Sequence, residues 1–133
     1  MRRVAWLLAL FIFMTPLTVH AKEPELRMMR ATAYPDTGNK TKSGTWPHHG
    51  TAGAAKELIG LTAVVYQRLP GNQIGELIGI YEIEDTGTTE GCINGHVIDI
   101  WCPDRPACQE FMNRVYEDGC GGKVFVLLVE ADG

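Results

Sequence analysis

Leu77-Ile78-Gly79-Ile80-Tyr81-Glu82-Ile83-Glu84-Asp85 alternates along its length, with Leu77, Gly79, Tyr81, Ile83 and Asp85 on one face and Ile78, Ile80, Glu82 and Glu84 on the other. A period of two sustained that far reads as a β-strand. Upstream, Leu61 to Arg68 is a second strand, separated from the first by the breaker Leu69-Pro70-Gly71-Asn72. Met28 to Tyr34 is another, stopped by the turn chemistry of Pro35-Asp36-Thr37-Gly38, and Thr51 to Ala55 is a weaker one. Downstream, His96 to Trp101 and Lys123 to Glu130 complete six. One helix is expected between Asp104 and Gly119: Asp104 caps it, Pro106 suits its first turn, Ala107, Phe111 and Val115 recur as a core stripe beside Met112, and Gly119 ends it. Six short strands with one helix inserted late predict a mainly β fold, a small closed barrel, with a sandwich as the alternative.

The 133 residues carry 12 Lys and Arg against 16 Asp and Glu, a net charge of −4. Residues 1–21 skew that balance. Arg2 and Arg3 precede an apolar run from Val4 to Val19 broken at Pro16, and Val19-His20-Ala21 has the small-x-small form of a secretory cleavage site. The expected mature chain, 22–133, has 112 residues with 10 basic and 16 acidic side chains, a net charge of −6. That acidity argues against a nucleic-acid partner. The apolar run is short and is followed at once by Lys22, Glu23 and Glu25, so no membrane association is expected after cleavage. The mature length fits one domain, expected to act as a monomer in the periplasm or outside the cell. Cys92, Cys102, Cys108 and Cys120 all lie downstream of the export signal, so two disulfides are expected, with three connectivities open. Their spacing does not suit zinc, and His48-His49 is adjacent rather than spaced as ligands, so neither a metal nor another cofactor is expected.

Two segments carry chemistry, Glu84-Asp85-Thr86-Gly87 and Val97-Ile98-Asp99-Ile100-Trp101. Alternation puts Asp99 on the face of Val97 and Trp101, where an ionised carboxylate is costly and its pKa should rise. A carboxylic acid kept protonated near neutral pH is what general-acid cleavage of a glycosidic bond requires. The plainer reading of Asp99 is a hydrogen-bonded strand residue, and of Asp85 a turn residue accepting backbone N–H bonds. His96 points away from Asp99 by alternation and reads as a surface residue.

In order along the chain, Ala31-Thr32-Ala33-Tyr34, Lys40-Thr41-Lys42-Ser43-Gly44-Thr45, Leu58-Ile59-Gly60-Leu61 before Val64-Val65-Tyr66, Glu84-Asp85-Thr86-Gly87 and Gly95-His96-Val97-Ile98-Asp99-Ile100 together resemble the 3D domain. That domain, named for three aspartates, belongs to the double-psi β-barrel group with the RlpA-like proteins and the C-terminal part of MltA-type murein transglycosylases. The resemblance runs from about Met29 to Val129 and implies a six-stranded double-psi barrel. It implies that Asp99 is the catalytic acid/base and Asp85 its supporting aspartate. The family's remaining aspartate, in a stretch that usually reads Ala-Val-Asp-Pro, corresponds here to Ala55. Lys56 replaces the following Pro, Gly60 replaces the Pro of the next motif, and extra residues including Cys92 stand between Gly87 and Gly95.

The implied activity is a lytic transglycosylase reaction on peptidoglycan glycan strands with a 1,6-anhydromuramyl product. Thr32, Tyr34, Thr41 and Ser43 are the candidates for hydrogen bonds to the glycan, and Trp46 for stacking on a sugar ring. Two other functions suit the same barrel: a non-catalytic glycan-binding or wall-loosening module of expansin type, and an inhibitor or effector that keeps only the scaffold.

Overall fold

The computed structural model describes residues 23–87, 90–117 and 121–131. The proposed leader, Gly119 and Cys120 lie outside these. The strands are β1 (Glu25–Pro35), β2 (Thr51–Ala54), β3 (Leu61–Leu69), β4 (Gln73–Thr86), β5 (Val97–Cys102) and β6 (Lys123–Glu130), with a 3-10 turn at Lys56–Leu58. They close in the order β1-β5-β2-β4-β3-β6. The pairs β1/β5 and β2/β4 are parallel and the other four antiparallel. This is the closed six-stranded barrel expected, and closure rules out the sandwich.

Alternation fills the barrel with small and branched side chains. Met29 and Ala31 of β1, Ala52 and Ala54 of β2, Ala63 and Val65 of β3, Ile98 and Ile100 of β5, and Val124, Val126 and Leu128 of β6 all point inward and are buried. Alanines on three of the strands keep the narrow interior from overfilling. Outside it, helix α2 (Arg105–Tyr116) lies against β1. Asp104 caps it by accepting a 2.9 Å bond from Ala107 N, and its stripe of Ala107, Phe111, Met112 and Val115 packs onto the core as read from the sequence. It ends at Tyr116, with Glu117 extended at its C-cap. A one-turn helix α1 (Glu90–Ile93), which no periodicity announced, precedes β5.

The structure corrects three expectations. The alternation of β4 is interrupted: Val65 pairs Gly79 but Tyr66 pairs Leu77, leaving Ile78 as an extra residue. This bulge seats Ile78 against the core and turns Leu77 out, so Leu77 does not share the face of Tyr81. A second bulge at Glu84 moves Asp85, as described below. The third correction concerns the cysteines. Cys102 and Cys108 approach to 3.7 Å, whereas a disulfide requires about 2.03–2.05 Å, and two disulfides are not supported. Burial, then the adjacent Cys108 thiol, pushes Cys102 up to about 12, which keeps it a protonated thiol. Cys92 is buried, and its Sγ fills the space that a side chain on Gly87 would need.

Ile98 is fully buried while Ile80 is 60% exposed. Ile98→Ala is expected to cost about 2–5 kcal/mol in urea unfolding, and Ile80→Ala to stay within about 0.5 kcal/mol.

Candidate functional site

β2 lies between β4 and β5, and on its line the two aspartates meet. Gly53 pairs Asp99 of β5 on one side and Asp85 of β4 on the other, and Asp99 pairs Thr32 of β1. Paired residues share a face, so Thr32, Asp99, Gly53 and Asp85 form one row across four strands on the outer surface. The inward row beside it is Ile100, Ala52 and Ile83. Uninterrupted alternation puts Asp85 with Ile83, facing the core. The structure differs because Ala52 pairs Ile83 while Gly53 pairs Asp85, so Glu84 is an extra residue on β4. The bulge turns Asp85 outward, onto the face of Asp99. Gly53 contributes no side chain between them, and an added Cβ would touch Asp85 at 3.7 Å. With strands about 4.7–4.9 Å apart, the two aspartate backbones stand about 10 Å apart, with Gly53 between them.

The two acids have different surroundings. Asp85 accepts from Thr86 N at 2.9 Å, Lys42 N at 3.0 Å and the Tyr34 hydroxyl at 3.4 Å. Asp99 accepts from Thr32 Oγ1 at 2.9 Å through Oδ1, and its Oδ2 has no partner among the described residues. Burial raises the pKa of Asp99, the Thr32 bond opposes that rise, and the negative charge of Asp85 adds to it. Burial also raises the pKa of Tyr34, reinforced by Asp85 and Asp99, so Tyr34 remains a hydroxyl donor. Asp99 lines a cavity of about 490 Å³ with Arg30, Thr32, Val97, Gly87 and Gly91. A second cavity of about 330 Å³, bordered by Lys42, Lys56 and Glu57, also has Gly87 in its lining.

Of the residues singled out in the sequence, Asp85, Asp99, Thr32 and Tyr34 come together directly. Thr41 and Ser43 do not reach this row. Thr41, 5% exposed, bonds Ser43 Oγ at 3.0 Å and Thr45 Oγ1 at 2.8 Å, so these hydroxyls hold the 36–50 loop in shape. That shape presents Lys42 N to Asp85. Trp46 is 62% exposed, with Lys40 Nζ 5.5 Å from its ring centroid. His96 is exposed, but because it lies before β5: Asp99 faces outward with Val97 and Trp101, and alternation continued from Ile98 would turn His96 inward. Ala55 is 1% exposed and belongs to the core, preceding the 3-10 turn without a side-chain cap.

Sequence reading missed Gly53, although a glycine inside a strand signals a close approach by a neighbour. It also missed Glu84, whose carboxylate accepts from Thr45 Oγ1 at 2.7 Å and lies 3.0 Å from His48 Nε2. Compared with protein-family models and with curated proteins, the chain matches none.

Because its folded pKa is raised, Asp99 favours folding most below the unfolded carboxyl pKa, and that contribution is lost as pH rises through the folded value. Asp99→Asn copies the protonated acid and keeps an acceptor for Thr32. It is expected to raise Tm above wild type at neutral pH, with the advantage vanishing as pH falls toward about 3.9. Thr32→Val removes the bond that opposes the shift, and carbon-13 NMR titration of the Asp99 carboxyl is expected to show a still higher pKa.

Proposed function

We propose that the exported mature chain cleaves peptidoglycan glycan strands as a lytic transglycosylase, with Asp99 as its general acid and base. The observation that carries this reading is the asymmetry between the acids: Asp85 is surrounded by donors from the chain, while Asp99 lines a cavity, has a raised pKa and has one carboxyl oxygen without a partner among the described residues. In the proposed reaction the protonated Asp99 gives its proton to the glycosidic oxygen between N-acetylmuramic acid and N-acetylglucosamine as the bond to the anomeric carbon breaks. The carboxylate left behind takes the proton from the muramyl C6 hydroxyl, whose oxygen bonds to the same anomeric carbon. The product is a 1,6-anhydromuramyl end, Asp99 is again protonated, and no water is consumed. A second carboxylate placed to activate water is therefore not required. An intramolecular nucleophile also lowers what the protein must supply in positioning.

Asp85, fixed by Lys42 N, Thr86 N and Tyr34, contributes negative charge beside the anomeric carbon as positive charge develops there, and helps keep Asp99 protonated beforehand. Two cavities that share Gly87 in their linings suit a chain-like substrate longer than one sugar.

A second reading, a glycan-binding module without catalysis, draws on Ala55 and on Trp46. The family's third acid is replaced by a buried methyl, and an exposed indole stands ready to stack on a sugar. The test is incubation of the mature protein with purified peptidoglycan and mass spectrometry of the released fragments. Wild type is expected to release 1,6-anhydromuropeptides, and Asp99→Asn to release about 10²–10⁴-fold less. Identical blanks from folded wild type and Asp99→Asn would remove the catalytic reading. Co-sedimentation with peptidoglycan that Trp46→Ala abolishes would then favour the binding module.

A further inference from the structure

Outside the aspartate row, the 36–50 loop and β4 bring a different set of donors together. One ring nitrogen of His48 and one oxygen from each of Glu82 and Glu84 lie within 4.8 Å of one another. His48 Nδ1 is 2.8 Å from the His49 carbonyl oxygen. A carbonyl oxygen only accepts, so Nδ1 carries the hydrogen, and in the neutral ring Nε2 presents its lone pair. That nitrogen stands 3.0 Å from Glu84 Oε1. The other oxygen, Oε2, is held by the Thr45 hydroxyl at 2.7 Å, which keeps Oε1 turned toward the ring. Glu82, two residues before Glu84 on β4, completes the group, its carboxylate oxygen lying within the same 4.8 Å. Three donors converging this closely from a loop and a strand can share one divalent cation.

We propose that His48, Glu82 and Glu84 bind one divalent transition-metal ion of the zinc class. Donors held at about 2.0–2.1 Å on one ion stand about 2.9–3.4 Å apart when adjacent, and the 3.0 Å between Nε2 and Oε1 fits that spacing. One imidazole with two carboxylates suits zinc or a neighbouring transition metal better than calcium or magnesium, which take oxygen ligands. The His49 carbonyl and the Thr45 hydroxyl are outer partners of the kind that orient metal ligands. The site is separate from the proposed glycan chemistry and does not depend on it. Its structural effect is to clip the 36–50 loop to β4, since His48 belongs to the loop and both glutamates to the strand.

The experiment is calorimetric titration of the chelator-treated mature protein with zinc chloride near neutral pH, repeated with cobalt(II) as a spectroscopic probe. One ion per chain is expected, with a rise in Tm on loading. His48→Ala and Glu84→Gln should weaken binding by at least about 10–100-fold, the range that loss of an outer partner alone gives. His49→Gln keeps the backbone carbonyl and should bind as wild type does. Glu82 is exposed, so Glu82→Gln, expected to weaken binding likewise, supplies the test if either other variant fails to fold. The cobalt form should lack a thiolate charge-transfer band. Absence of binding by wild type, affinity unchanged in the folded ligand variants, or a thiolate band assigning the ion to cysteine would each overturn the proposal.

Discussion

The pairing of Gly53 with an aspartate on either side is the constraint on which the site depends. β2 has only four residues, and it has to bond β4 in parallel and β5 in antiparallel fashion at once. The inward row of Ile83, Ala52 and Ile100 fixes its register, because a slip of one residue would drive the acids into the core and the apolar side chains out. Burial of that row is thus what holds the two acids on the strands that flank β2. The charge of Asp85 then adds to the rise that burial imposes on the Asp99 pKa.

The bulge at Glu84 is the second half of that constraint. One added residue takes Asp85 from the core face to the outer face and sends Glu84 toward Thr45 and His48. Consecutive acids therefore serve different neighbours. Asp85 faces Tyr34, Lys42 N and the row containing Asp99, whereas Glu84 anchors the loop that delivers Lys42 N. Loop and strand are tied twice within two residues. The hydroxyl cluster of Thr41, Ser43 and Thr45 stiffens the loop between those ties.

Much of the architecture was legible because strands announce themselves locally. Alternation located the strand around Leu77–Asp85, segments rich in β-branched and aromatic residues between Gly, Pro, Asn and Asp breakers located the other five, and the cap at Asp104 with the Ala107, Phe111 and Val115 stripe located the helix. Closure into a barrel followed from the number and shortness of the strands. What escaped was whatever depends on a partner strand: the extra residues at Ile78 and Glu84 are defined only against β3 and β2, so unbroken alternation assigned Leu77 and Asp85 to the wrong face. Asp99 was placed correctly because β5 runs without interruption from Val97 to Cys102. The cysteines were read from the compartment an export signal implies, which says nothing of the distance between Cys102 and Cys108. Glu84 and His48 are far apart in the chain and carry no common motif, so only the fold reveals their proximity.

The closure of the barrel also bears on when the site comes into being. Every member of the row Thr32, Asp99, Gly53 and Asp85 lies on a different strand, and β2 joins the other two partners only once β4 and β5 flank it. Contacts so distant in sequence cannot form until the loops between them have closed. Neither the shielding of Asp99 nor its proximity to Asp85 exists in a half-assembled sheet. The acid row therefore exists only once β2 is seated between β4 and β5, and an unfinished chain carries the residues without the site.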